Sequence, residues 1–462
     1  MIDRFSQLKP KLLIVADYYF YNGKKFQYSK NLRTLKANLN NPLILKTSYP
    51  SKNNTSELKK IYKQKKYSKL NKNISLSFNH PLYVLFSSGT TGLPKCITHG
   101  HGGSLLQHLK ELALHTNVKS EDKMLFLTTC GWMMWNWTVS NLLLGSSIVL
   151  YDGSPFYPNI NRVINITKDT NSTMLGAGAK VYETIQNNYK SNKKDILKKI
   201  NCFISTGSPL SPDTFKFINK SLNSKSFIHS VSGGTDIVSC FMLGIPTLPV
   251  YSGEIQGPGL GMDIDVFNDN GKPTKKTGEL VCKTPFPSKP IYFWNDRLNN
   301  KYKSAYFKKF PNIWSHGDYV KKTKSGGYVI FGRSDATLNP GGVRIGTGEI
   351  YSCLQKFHWI EDCLATGYLT KNDEKIVLFL KLLNTKINVD FNTILKKHLK
   401  TSLSPRHVPW KIFIVKDIPR TKSGKNSEIL VKKIINNDKV QNLGSLANPE
   451  SVIEYRKINI NE

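Results

Sequence analysis

The fold of this chain is decided by Leu85-Phe86-Ser87-Ser88-Gly89-Thr90-Thr91-Gly92-Leu93-Pro94-Lys95. The apolar run Leu82 to Phe86 ahead of it reads as a buried strand. From Ser87 to Lys95, two glycines, four hydroxyl side chains and a lysine follow one another. Glycines let a backbone approach a ligand closely, and the amides and hydroxyls supply donors. A lysine at the end adds a point charge, so the loop is suited to holding a polyphosphate. The spacing is not that of a Walker loop, which needs four residues between its first glycine and a Gly-Lys-Ser/Thr ending.

Working outward, 462 residues exceed one ordinary core and predict at least two domains. A hydrophobic content of 39% is enough to build those cores. The formal charge of +34 raises the question of nucleic acid. Its lysines are spread along the chain among many asparagines, and no DNA- or RNA-binding motif accompanies them. The charge therefore predicts faster capture of anionic nucleotides and no nucleic-acid partner. Seven cysteines stand singly at 96, 130, 202, 240, 282, 353 and 363, without a CxxC pair. That argues against a zinc site or a disulfide framework and for a reducing compartment. Met1 to Pro10 lacks a signal-peptide pattern, and no apolar run approaches membrane-spanning length. The expectation is a cytoplasmic protein without a membrane partner.

Along the chain, 11–16 and 42–46 read as short buried strands, with a turn at Tyr21-Asn22-Gly23 between them. Residues 51–79 read as an exposed Lys/Asn/Ser-rich loop. Leu105, Leu106, Leu109, Leu112 and Ala113 fall on one side of a predicted helix. Strands at 124–127, 147–151, 202–205 and 227–231 alternate with helical segments, which predicts a doubly wound α/β core. Shorter β pieces follow at 262–267, 279–283 and 328–331. Past Arg333 the pattern restarts, with helices at 348–356 and 391–398 and strands at 376–383 and 412–415. The expected division is 1–333 and 334–462.

Five further motifs share the chain with the Gly89 loop. They are Gly207-Ser208-Pro209, Ser232-Gly233-Gly234-Thr235-Asp236, Trp314-Ser315-His316-Gly317-Asp318, Gly332-Arg333-Ser334-Asp335 with the later Gly341 to Ile350 run, and Pro419 to Lys425. Together, and in this order, they resemble the acyl-adenylate-forming superfamily of acyl-CoA synthetases, luciferases and peptide-synthetase adenylation domains. The resemblance implies a large ATP- and acyl-binding α/β domain followed by a small mobile α+β lid. It places the phosphates of ATP on Ser87, Ser88, Gly89, Thr90, Thr91, Gly92 and Lys95, and adenine against Gly207, Ser208 and Pro209. Gly234 and Thr235 would lie at the α-phosphate, with Asp236 holding Mg²⁺; the superfamily more often has Glu there. Asp318 and Arg333 would hold the ribose, since a carboxylate is a natural partner for two neighbouring hydroxyls. His316 is not needed for that and reads as structural. In the second half-reaction Arg344 would meet phosphate and Gly342 would line the path of coenzyme A. Lys425 would stand beside the reacting carboxylate and α-phosphate, where a buried ammonium offsets the repulsion between two anions.

Thr128 to Trp137, Leu150 to Pro155, the Gly-Gly-Thr-Asp motif and Ser445 to Glu450 further resemble the acetoacetyl-CoA synthetases. Members of that branch begin well before the position matching Met1, so the resemblance implies an N-terminally truncated large domain. It also implies ATP-dependent, AMP-forming ligation of acetoacetate to coenzyme A through an acetoacetyl-adenylate. The alternatives are a ligase for another short acid, or an inactive half that needs a separately encoded N-terminal portion. Where acetyl-CoA synthetases have a bulky tryptophan, this chain has Gly233, which predicts a deeper acyl pocket. A positive φ at Gly233 is the competing reason for a glycine there.

Overall fold

The computed structural model describes residues 2–47, 74–87, 94–189, 194–340, 345–370, 373–383, 390–422, 424–440 and 443–460. Ser88 to Leu93, Gly341 to Arg344, and residues 51–73 of the expected exposed loop lie outside them.

At the centre is a five-stranded parallel sheet in the order Phe227–Ser230, Cys202–Thr206, Met174–Gly178, Lys123–Phe126, Ser147–Val149. Apolar clusters cover both of its faces: one contains Leu175, Phe203 and Ile228, the other Met124, Cys202 and Ile204. This is the expected doubly wound core. Its middle strand, Met-Leu-Gly-Ala-Gly, carries no strong β signal because it is built from small residues. The structure gives the reason at Gly176, where a Cβ would come within 2.1 Å of the Phe126 ring.

Two smaller sheets carry the Gly89, Trp314–Asp318 and Gly332–Arg333 stretches. Pro81–Ser87 and Lys95–Gly100 pair antiparallel, with Ser87 opposite Lys95, so the Gly89 motif falls between two paired strands. Four antiparallel strands, Ile264–Phe267, Gly278–Cys282, Trp314–Lys322 and Tyr328–Arg333, form a second sheet. From Thr347 onward, helices Thr347–Leu354, Phe391–Ser402 and Glu428–Ile435 pack on Ile360–Leu369, Glu374–Leu382 and Lys411–Ile414. The two clusters built there draw only on residues from Leu338 onward.

Near the front, Leu12–Ala16 pairs parallel with Leu43–Thr47. The Asn22-Gly23 turn joins Tyr18–Tyr21 to Lys24–Gln27, with both residues at positive φ, as a tight hairpin requires. The expected burial of the first two strands is not met: Ile14 is 61% and Leu43 71% exposed. Leu82 at the start of Pro81–Ser87 is exposed as well.

Helix His101–Lys110 also departs from expectation. It turns Gly103, Ser104, Gln107 and His108 inward and leaves Leu106 and Leu109 exposed. Buried hydrogen bonds explain the inverted orientation. His108 bonds to the Ser140 hydroxyl at 2.9 Å and the Val238 carbonyl at 2.6 Å. Just beyond the helix, the buried Glu111 carboxylate accepts from Gln107, Trp137, Ser239 and the Cys240 amide at 2.5–3.1 Å. A polar set bonded in this way, with only the Ser104 hydroxyl and Gln107 Oε1 lacking a partner among the described residues, can occupy an interior that periodicity alone would assign to leucine.

Candidate active site

Both central motif loops leave the C-terminal edge of the parallel sheet, where open α/β sheets bind their ligands. Ser205 pairs with Ser230, so Gly207-Ser208-Pro209 and Ser232 to Asp236 start side by side. Gly207 has φ +85° and lies against the half-buried Trp132, with Ser208 and Pro209 exposed beyond it. Met133, Met134 and Trp137 of the same Trp/Met-rich segment are core residues.

Strand Lys95–Gly100 meets the second loop. The Lys95 ammonium donates to Oδ1 of Asp236 at 2.6 Å, and His99 donates from Nε2 to the Thr235 carbonyl at 3.0 Å. Burial lowers the His99 pKa to about 4, so the ring is neutral. The Tyr306 hydroxyl also donates to Asp236 Oδ1, at 2.7 Å. Burial by itself would raise the Asp236 pKa, but Lys95 and the hydrogen bonds outweigh it and hold the carboxyl below the usual range. Burial, with Asp236 adding to it, keeps the Tyr306 phenol protonated. The Oδ2 oxygen takes part in neither contact.

The Trp314–Lys322 and Tyr328–Arg333 strands bring in the second half of the site. Asp318 pairs with Arg333 across the sheet, and the Arg333 guanidinium donates to its carboxylate at 2.9 Å and to the His316 carbonyl at 3.2 Å. Gly317 sits beneath that guanidinium at φ +84°, where a Cβ would come within 2.5 Å of it. His316 is buried edge-on against Phe241 and lies 3.6 Å from Asp318, while Gly234 faces its Nε2. Burial lowers its pKa, so a neutral imidazole separates the two carboxylate-bearing loops.

Lys425 belongs to a turn held by the C-terminal sheet. The Thr421 amide donates to the Lys425 carbonyl at 2.8 Å, and Gly424 takes φ +82° between them. Arg420 at the base grips Asp362 with contacts of 2.6–2.9 Å. Lys425 is exposed to solvent, unlike the buried ammonium expected; nearby protein nonetheless lowers its pKa by desolvation, with Asp318 and Asp236 opposing that shift. It therefore lies within electrostatic reach of both carboxylates. Of the expected residues, Lys95, Gly234, Thr235, Asp236, Asp318, Arg333 and Lys425 come together. Ser87 borders them with a buried hydroxyl that has no partner among the described residues. Ser88, Gly89, Thr90, Thr91, Gly92, Gly342 and Arg344 lie outside the described residues.

Among the described residues no three His, Cys, Asp or Glu side chains cluster as metal ligands. The Asp236 carboxylate, whose Oδ2 has no hydrogen-bond partner among the described residues, fits Mg²⁺, which keeps water and is brought in on substrate phosphates. The unpartnered Ser87 hydroxyl and the Lys95 ammonium suit those phosphates.

Residues 3–292 match the family model described as AMP-binding enzyme. Acetoacetyl-coenzyme A synthetase of Rhizobium meliloti (strain 1021) is 44% identical over 98% of this chain and 71% of its own length. The Gallus gallus acetoacetyl-CoA synthetase is 41% identical over 99% of this chain and 71% of its own. The chain belongs to the acetoacetyl-CoA synthetase family. The solved acetoacetyl-CoA synthetase from Streptomyces lividans superposes with a TM-score of 0.87 and 36% identity, over 99% of this chain and 71% of that one. An anthranilate CoA ligase solved with anthranoyl-AMP shares the fold at a TM-score of 0.74 and 18% identity, over 91% of this chain and 77% of its own.

The acyl-pocket expectation at Gly233 needs a different physical reason. A Cβ there would stand 1.9 Å from the Ser239 carbonyl and 2.5 Å from the Cys240 Cα, so the glycine lets two strands touch at a bulge. Its φ lies outside the left-handed range, so positive φ is not the cause either. Gly233→Trp is therefore expected to destabilise the protein by ~3 kcal/mol or more, with no gain in acetate preference. Thermal melts together with acetate/acetoacetate rate ratios check this; a stable variant with a raised acetate ratio would reinstate the pocket reading.

Proposed function

We propose that this chain ligates acetoacetate to coenzyme A in two steps, forming acetoacetyl-AMP and pyrophosphate from ATP and then releasing AMP to the thiol. The observation that carries the reading is the convergence of residues far apart in sequence: Lys95 on Asp236, Arg333 on Asp318, His316 between the two carboxylates, and Lys425 within electrostatic reach of both. In this reading Lys95, Ser87 and Thr235 meet phosphate oxygens, and Asp318, oriented by Arg333, accepts from the ribose hydroxyls. Asp236 holds Mg²⁺, which when bound neutralises phosphate charge. Lys425 lies between attacking carboxylate and α-phosphate and offsets their mutual repulsion. Gly207 to Pro209, backed by Trp132, serve adenine, and Gly342 and Arg344 serve the thiol step. A division into 1–333 and 334–462, with the second part acting as a lid, is supported by the separate apolar clusters on either side. A cytoplasmic setting is supported by seven free cysteines; no helix among the described residues is long and apolar enough to cross a membrane. The test is thioester formation with ATP, Mg²⁺ and coenzyme A across acetoacetate, acetate, propionate and butyrate. A clear preference for acetoacetate is expected, and a preference for another acid would replace the substrate.

The chain spans 71% of the length of these relatives, and several large apolar side chains in its first part are exposed. Leu12, Ile14 and Leu43 on the two-stranded parallel sheet, Leu82, and Leu106 and Leu109 on the inverted helix are all exposed. Parallel strands are normally covered on both faces, and a helix that turns its leucines outward has its own packing surface open. We propose that these side chains form one apolar face, the seat of polypeptide equivalent to the N-terminal portion of its relatives, whether supplied separately or on the same chain.

A further inference from the structure

Tyr306 belongs to none of the recognised motifs, yet it touches the carboxylate on which the metal reading rests. It ends the helix Asn300–Tyr306 and is 3% exposed. Its ring stacks on Trp314 at 3.8 Å and 14°, with Phe293 and Tyr302 edge-on at 5.6 and 5.4 Å. A ring wedged on three sides cannot swing, so its hydroxyl is a fixed donor, 2.7 Å from Asp236 Oδ1. The Lys95 ammonium chooses the same oxygen, at 2.6 Å, and lies 5.1 Å from the Tyr306 ring centre. Both donors therefore hold Oδ1, and Oδ2 accepts no hydrogen bond among the described residues. Aspartate has two rotatable bonds and a short reach, so it serves an incoming cation only when its free oxygen already points the right way. An acid free to rotate would divide its time between orientations.

We propose that Tyr306 is a positioning residue for the metal carboxylate: its hydroxyl clamps Oδ1 of Asp236 and so presents Oδ2 to the Mg²⁺ that arrives with ATP. This rests on reading Asp236 as the metal ligand. Partners of this kind, which orient a ligand without touching the ion, change metal affinity by roughly 10–100-fold when removed. Phenylalanine at 306 keeps the stacked ring and removes one oxygen. Tyr302, in the same aromatic cluster, has a buried hydroxyl with no partner among the described residues and supplies the control.

The experiment titrates Mn²⁺ into the chain with α,β-methylene-ATP and follows free Mn²⁺ by electron paramagnetic resonance. Wild type, Tyr306→Phe, Tyr302→Phe and Asp236→Asn are compared, with thermal melts on each. Tyr306→Phe is expected to weaken protein-dependent Mn²⁺ binding about tenfold, Tyr302→Phe to leave it unchanged, and Asp236→Asn to leave only the Mn²⁺ that the nucleotide holds by itself. In pyrophosphate exchange, the Tyr306→Phe defect is expected to be recovered by excess Mg²⁺, which a packing defect would not be. Wild-type Mn²⁺ affinity in Tyr306→Phe, beside loss in Asp236→Asn, overturns the positioning role alone. Equal weakening in Tyr302→Phe and Tyr306→Phe assigns the tyrosine to packing and overturns it too. Unchanged affinity in Asp236→Asn overturns the underlying metal reading.

Discussion

Lys425→Ala is expected to slow acetoacetyl-adenylate formation by ~100-fold or more, the scale of losing one preorganised charge partner. Thioester formation from supplied acetoacetyl-AMP should be largely spared, because the anion–anion encounter that needs the ammonium is then past. The placement behind this is the Arg420–Asp362 anchor, the Gly424 turn, and the nearness of Lys425 to Asp318 and Asp236. The pH dependence carries a second signature. Desolvation by the protein near the exposed Lys425 lowers its pKa, so its charge is present below that value and is lost as pH rises through it. The adenylation rate should therefore fall on the alkaline side in the wild type, while Lys425→Ala lacks that limb. Single-turnover rates of each half-reaction across pH measure both effects. Equal loss in the two half-reactions would remove Lys425 from this role.

The other large effect concerns the open apolar face. Leaving a few hundred Å² of apolar surface in water costs several kcal/mol at about 25 cal/mol per Å², against a total stability of roughly 5–15 kcal/mol for a domain. Residues 1–462 produced alone are expected to self-associate and to be inactive. Leu106→Ser with Leu109→Ser should make that chain more monodisperse. Co-expression with the N-terminal portion of a relative should restore acetoacetate-dependent AMP formation to the native sequence but not to the double variant. Light scattering and AMP release report the two halves of the prediction. A 462-residue chain that is monodisperse, cooperatively folded and fully active by itself would contradict it.

Those leucines also show where sequence reading stops. Their spacing identifies a helix but not which way it faces, because the inward side is a hydrogen-bonded polar set centred on Glu111 and His108 that only tertiary contacts can satisfy. Met174–Gly178 was hidden for a related reason: small residues there serve a close approach by Phe126. The motif residues were legible because turns at strand ends need glycine and chemistry needs charge, so Gly317-Asp318, Arg333 and Lys425 stand out from a lysine-rich background. His316, read as structural, does act as a buried neutral spacer. Tyr306 left one faint signal, its i, i+4 spacing from Tyr302, and nothing in that spacing indicates Asp236 as its partner.

Exchange of labelled pyrophosphate into ATP, without coenzyme A, tests the central claim most directly, since it requires a reversible acyl-adenylate at this site. The chain, joined where necessary by the portion that covers its apolar face, is predicted to exchange only when acetoacetate and Mg²⁺ are both present, and Lys425→Ala to lose the exchange. A folded, nucleotide-binding preparation that shows no acetoacetate-dependent exchange would contradict the account.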